Sequence, residues 1–280
     1  MPAEQTMLKA SFYIPVLVDE TRPLKLLIEA GSQTVSFLWY HCDPQSLAGL
    51  AVYNLGQPLT AGIWQKLVGA EPELSRLADQ VIVCYDTRES TLVPSSYFQA
   101  DAVQDILHTL FGHDLSAEAR QTYIETLPAY LLYRLPKGLH EAILHTFPQA
   151  LFSHTTREQV MNYAEKPADL FAIFYHQTLK LFLFHKGALQ YVHYANYQTA
   201  SDACYQLLNT CHRHGLAPED IRVRLSGMIE RSSPLYNELY SCFPEIGFME
   251  VADKWTLPES MQEFPGHYFS HLTELAACVS

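Results

Sequence analysis

A chain of 280 residues with 18 Lys+Arg against 30 Asp+Glu carries a formal charge of −12. That balance argues against a nucleic-acid backbone or an anionic membrane surface as the main partner. Hydrophobic residues make up 48% and aromatics 12% of the chain, which supports a large core and argues against disorder; the length suits one large domain or two of about 140 residues.

The six cysteines, Cys42, Cys84, Cys204, Cys211, Cys242 and Cys278, are scattered. Met1-Pro-Ala-Glu-Gln5 has no basic n-region and no apolar h-region. The expectation is therefore free thiols in a reducing cytoplasm. No apolar run is long enough to span a bilayer, so membrane insertion is not expected.

Residues 1–10 are expected to fray. Phe12–Val18 reads as an edge strand, because Pro15 is tolerated only there. Leu24–Ala30 is a strand, Gly31-Ser-Gln33 a turn and Thr34–Tyr40 the returning strand. Asp43-Pro44 marks a second turn, and Leu47–Leu55 a third strand. Thr60–Leu77 holds a helix broken around Gly69 and Pro72, and Val81–Tyr85 a buried strand ending at Asp86. A helix follows at about Asp101–Phe111, then a strand at Tyr130–Tyr133 and a helix at Gly138–Phe147. Ala150–His154 is a short strand and Thr156–Tyr163 a helix.

The stretch from Asp169 to Val251 has the clearest pattern. Leu170–Tyr175 is apolar on both alternating faces, as a covered central strand is. Leu179–Phe184 and Ala188–Tyr194 flank a Lys186-Gly187 turn, and connections this short imply an antiparallel meander. Thr199-Ala-Ser-Asp202 fits a capping box with Asp as the acidic member. Ala203, Cys204, Leu207, Leu208 and Cys211 share the next helical face, and Gly215 ends it. Ile221–Leu225 is a strand stopping at Ser226-Gly227. Ser233-Pro234 opens a helix with Leu235, Tyr236, Leu239, Tyr240 and Phe243 on its buried face. Phe248–Val251 is a fifth strand, and Tyr268–Ala277 a tail helix.

The order β-β-β-α-β-α-β is clear in this stretch and looser before it. It gives an α/β chain of two halves, 11–150 and 151–280. This is the plan of the actin-like ATPase superfamily, whose halves each carry a ribonuclease-H-like core. More narrowly, the chain resembles an uncharacterised bacterial family of unknown function with that fold. The matching residues are Thr91-Leu-Val-Pro94 with Phe98, then Asn196-Tyr197 leading to Asp202 and Tyr205. Leu225-Ser-Gly227 followed by Ser233, Leu235 and Tyr236 completes them. A looser resemblance is to actin-like proteins of pilus and secretion assembly.

The superfamily resemblance implies where a nucleotide would sit. Its first turn in each half cradles phosphate with an Asp-x-Gly loop, and a glycine pair after the fourth strand of the second half meets adenosine. Glycines let backbone N–H groups reach phosphate, and a carboxylate holds the waters of Mg²⁺. Here the turns read Glu29-Ala-Gly31-Ser-Gln33, Tyr175-His-Gln-Thr178 and Ser226-Gly227-Met228. Glu29, Gly31, Asp86 and Gly227 are thus the remaining candidates. Glu29 and Asp86 end neighbouring strands, where they could meet or simply cap strand ends in solvent.

Other constellations are weaker. Cys204 and Cys211 share a helix with His212 and His214, but no paired zinc spacing appears. No nucleophile elbow, Walker pattern or dinucleotide pattern occurs. The 13 histidines are dispersed. Nuclease chemistry is disfavoured, because the fourth strand of the second half has no acidic residue. The reading is a non-catalytic cytoplasmic scaffold or interaction protein with an eroded nucleotide site, no cofactor, no metal and an unknown protein partner. Homodimerisation through a sheet edge or the tail is compatible with it. The alternative is an ATP-binding switch or ATPase using the cleft between halves.

Overall fold

The structure, a computed structural model, describes residues 9–75 and 78–279. The fraying expected for residues 1–8 and the end of the helix expected at Arg76 and Leu77 lie outside the described residues. Two compact units are present, Met1–Glu158 with Lys254–Pro258, and Gln159–Asp253 with Glu259–Ser280.

The first unit opens with β1 (Phe12–Ile14), β2 (Lys25–Gly31), β3 (Thr34–Cys42) and β4 (Gln45–Asn54). Then come α1 (Ala61–Ala70), β5 (Gln80–Asp86), β6 (Ser90–Pro94), α2 (Val103–Phe111), β7 (Ala117–Ile124) and β8 (Ala129–Pro136). α3 (Leu139–Thr146) and β9 (Leu151–His154) follow, and α4 (Thr155–Tyr163) begins in the first unit and continues into the second after Glu158. The main sheet has the order β1-β4-β3-β2-β5-β9. β2 is antiparallel to β3 and parallel to β5. From Leu26 to Gly31 every residue of β2 is buried, the carboxyl of Glu29 included.

Thr60 caps α1 by accepting the Ile63 N–H at 3.3 Å. Trp64 anchors that helix. Its ring is fully buried against Phe37 and Phe147, and its Nε1 donates to Thr146 Oγ1 at 2.9 Å. The helix stops at Ala70, short of the expected end, and a 3₁₀ turn at Pro72–Ser75 follows. Pro72 lacks the N–H that another helical turn needs.

The first half also carries an insertion that its sequence pattern hid. β6, β8 and β7 form a separate sheet in that order, with α2 packed on it through Val103, Leu107 and Leu132. β7 was not expected at all. Glu118 and Arg120 interrupt its apolar alternation, and most of it is only partly buried.

The second unit contains β10 (Leu170–Phe174), β11 (Thr178–His185), β12 (Ala188–Asn196), α5 (Ala200–Arg213) and β13 (Val223–Gly227). It ends with α6 (Pro234–Cys242), β14 (Ile246–Phe248), α7 (Glu259–Gln262) and α8 (Ser270–Cys278). Its sheet has the order β12-β11-β10-β13-β14. Three antiparallel strands are followed by two parallel ones, the same plan as β4-β3-β2-β5-β9.

Local signals explain most of this unit. Lys186 at φ 52° and Gly187 at φ 76° make the two-residue hairpin turn. Thr199 and Asp202 form a full capping box on α5. Ser233 Oγ accepts the Tyr236 N–H at 3.1 Å, with Pro234 in the first turn. Two expectations shift. Tyr240 is 58% exposed, so the buried face of α6 is Tyr236 and Leu239, continued by Phe243. The last strand is Ile246–Phe248, not Phe248–Val251.

Candidate functional site

The turn after β2 is the natural starting point. In open α/β sheets ligands gather outside the carboxyl ends of parallel strands. Glu29 lies opposite Ser36 and Cys84, and Asp86 opposite Gly31. In-register neighbours share a face, so Glu29 and Asp86 sit on one face, diagonal to each other. Neither faces solvent. Both are buried. Ser36 Oγ donates to Glu29 Oε2 at 3.2 Å, and Thr155 Oγ1, at the start of α4, donates to Asp86. An added Cβ at Gly31 would lie 2.8 Å from the Thr34 carbonyl oxygen, so the turn itself requires glycine.

Above this turn the first unit has a half-open cavity of about 510 Å³. Its apolar lining includes Ala30, Pro58, Leu59, Ala117, Leu135 and Leu139. Gly31, Ser32 and the α1 cap Thr60 also reach it. The charged lining is balanced. Arg134, nearly buried, donates to Glu89 at 3.0 Å and to the Gly112 carbonyl at 2.6 Å. Asp114 accepts the Ser116 hydroxyl at 2.6 Å and its N–H at 2.7 Å, and these bonds hold its pKa below the usual range.

The corresponding turn of the second unit, Tyr175–Thr178, has neither Asp nor Gly. It is closed by Tyr175 N–H donating to Thr178 O at 2.8 Å. The Tyr197 hydroxyl donates to Tyr175 O at 2.9 Å. Ser226 and Gly227 are engaged elsewhere. Gly227 has φ 84°, and a Cβ there would stand 2.1 Å from the Phe174 carbonyl oxygen. Ser226 Oγ lies 2.8 Å from Ser270 Oγ and 3.2 Å from His271 Nδ1. It also accepts the His271 N–H at 3.3 Å. His267 Nε2 donates to the Ile229 carbonyl at 2.7 Å, which fixes the ring tautomer. The start of α8 is therefore clasped onto the end of β13. The tail pattern signalled a helix but not this contact.

Cys204 and Cys211 are buried, while His212 and His214 are exposed. Cys204 Sγ lies 3.3 Å from Cys242 Sγ. Burial and that neighbour push the Cys204 pKa up to about 12, and burial pushes Cys211 to about 11. Neither thiol is poised as a nucleophile near neutral pH. Among the described residues, no cluster of three or more His, Cys, Asp or Glu could hold a metal ion. Nor is any described helix long and apolar enough to cross a membrane.

Burial lowers the pKa of both His193 and His267, with nearby Arg213 and Arg231 adding to the respective shifts. Unfolding then takes up protons below the ordinary value of 6.5. Stability is accordingly full above pH 6.5 and lost as pH falls through the depressed folded values. Urea midpoints at about pH 7.5 and 5.5 should show this decline, and His267→Asn should flatten it.

Comparison with known proteins bears on the fold. No protein of curated function matches the chain. A Bacteroides thetaiotaomicron protein with actin-like ATPase fold and unknown function superposes with a TM-score of 0.74 at 13% identity. The match covers 93% of this chain and 99% of that one. A chain of the PilM–PilN type IV pilus biogenesis complex gives 0.60 at 13% identity, covering 92% and 99%. The architecture is therefore that of the actin-like ATPases. Residues 16–246 match the model of a family described as protein of unknown function, DUF3822, and the chain belongs to that family.

Proposed function

We propose that this chain is a non-catalytic interaction protein that acts in the cytoplasm, and that its first-unit cavity receives apolar side chains of a protein partner. The observation that carries this reading is the cavity itself. It lies at the carboxyl ends of β2 and β5, where a phosphate cradle would be expected, yet its walls are largely apolar. Supporting it, Glu29 and Asp86 are buried in bonds to Ser36 and Thr155. Gly31 and Gly227 answer to backbone close approaches. The similar PilM fold occurs in a complex named for two proteins, which supports a protein partner here. On this reading residues 11–150 and 151–280 are the two repeats, and the first holds the cavity.

The alternative, an ATP-binding switch, has one observation in its favour. Gly31, Ser32 and the α1 cap Thr60 line the same cavity, so backbone N–H groups could meet an anion there. The two readings separate experimentally. A photo-reactive side chain at Ala117, on the cavity wall, should cross-link one identifiable protein in cells. Ala117→Arg should reduce that protein's recovery at least tenfold while the melting temperature stays within about 2 °C. Unchanged recovery with the Arg variant would overturn the cavity as the docking point.

A further inference from the structure

Two thiols meet where α5 and α6 pack together over the sheet of the second unit. Cys204 lies in the first half of α5, and Cys242 is the last residue of α6. The Cys204 S–H donates to Cys242 Sγ at 3.3 Å, across 38 positions of the chain. A single core cysteine usually serves as a small apolar residue. Here two of them face each other on different helices, and their surroundings differ. Cys204 is buried, whereas Cys242 is half-buried at a helix end, where an incoming molecule can reach it. Neighbouring thiols do not compete for this contact. Cys211 lies seven residues further along α5, about 10 Å away by helical rise. Cys42 and Cys84 belong to the first unit, and Cys278 ends α8 in solvent.

We propose that Cys204 and Cys242 are an oxidation site, at which a low-molecular-weight disulfide converts the two thiols into one reversible disulfide that fastens α5 to α6. In the reducing cytoplasm proposed above, the dithiol is the resting state, and disulfides formed there are transient. Accessibility sets the order of events. Cys242 gives up its proton to water, and its sulfur attacks one sulfur of the small disulfide. The small S–S bond breaks, a mixed disulfide forms on Cys242, and the departing thiolate takes a proton from water. Cys204 then releases its own proton as its sulfur attacks Cys242 Sγ, and the second small thiol leaves protonated. Two protein thiols are oxidised and one small disulfide is reduced to two thiols. Burial above all keeps Cys204 protonated, so it does not begin the exchange. Its position against Cys242 Sγ makes it an effective second nucleophile all the same. The closed loop contains β13, and a cross-link of this kind restricts chiefly the unfolded chain.

The test equilibrates the folded full chain, with Cys278→Ser to remove the exposed thiol, in buffers of reduced and oxidised glutathione. Free thiols are then alkylated and the tryptic peptides identified by mass. The expected result is a link between the peptides of Cys204 and Cys242 that dithiothreitol reverses. The linked protein should melt about 5 °C or more above the reduced one. Two further variants test the order of attack. Cys204→Ala should keep a stable glutathione adduct on Cys242. Cys242→Ala, at a half-buried helix end where truncation costs little, should leave Cys204 unmodified and abolish the rise in melting temperature. Four results would overturn the proposal: two thiols that stay alkylatable in the oxidising buffer, a glutathione adduct on Cys242 that persists with Cys204 present, a link to some other cysteine, or a link that forms only in urea. A correct link with no rise in melting temperature would overturn the fastening of the two helices. All these outcomes are independent of the cavity on the first unit.

Discussion

Gly227→Ala is expected to destabilise the second unit by about 4 kcal/mol or more. Two costs add. The residue sits at φ 84°, where an L side chain is strained. Its new Cβ would also fall 2.1 Å from the Phe174 carbonyl oxygen, and Phe174 belongs to the central strand β10. That oxygen already accepts the Met228 N–H at 2.7 Å, so it cannot retreat cheaply. β10 and β13 would have to separate. A circular-dichroism melt should lose about 10 °C or more, and hydrogen exchange should accelerate in β10 and β13. If Gly227 were kept mainly for ligand contact, the variant would melt like the wild type, and that result would contradict the structural role assigned to it.

Trp64→Ala should remove about 3–5 kcal/mol from the first unit. The indole is fully buried between Phe37 of the sheet and Phe147 after α3. Loss of its N–H leaves little polar damage, because Thr146 Oγ1 also donates to the Ala142 carbonyl at 3.0 Å. The effect is mostly the void. Trp64→Phe should therefore recover about half of the loss, since it refills volume without restoring the hydrogen bond. The same substitution should disturb the cavity, because α1 begins at its wall. Urea unfolding of the three proteins compares these values; a Trp64→Ala midpoint close to wild type would mean that α1 is not held to the sheet through this ring.

Much of the second unit was legible because its signals are local. The Lys186-Gly187 turn, the Thr199–Asp202 capping box and the Ser233-Pro234 helix start each depend on residues within a few positions. An unbroken apolar run placed β10, and alternation placed β12 and β13, for the same reason. β7 escaped because its strand is polar and edge-like, with Glu118 and Arg120 where an apolar face would be sought. Tyr240 was assigned to the core by helical spacing, but it follows the buried stripe and lies stacked at 6.1 Å from Tyr236.

The site was legible only as far as its local parts. Glu29 and Asp86 do share one face of the sheet, as neighbouring strands imply. Their burial and their partners could not be read, since Asp86 meets Thr155 across 69 residues. The clasp of Ser226 by Ser270 and His271 spans 44 and 45 residues and carries no motif. The cavity was invisible for a similar reason, because its walls come from the β2–β3 turn, the α1 cap and the insertion that begins after β5.

We propose that Glu29, Gly31, Asp86 and Gly227 serve the fold and hold no nucleotide. The most direct measurement is the melting temperature of the full chain with and without millimolar Mg-ATP. A ligand bound only by the folded state, at about 100 times its Kd, adds about 2.7 kcal/mol, which a melt resolves. The expected result is no shift, for the wild type and for Glu29→Gln alike. A clear upward shift with wild type that disappears in Glu29→Gln would contradict the account and establish the ATP-binding switch in its place.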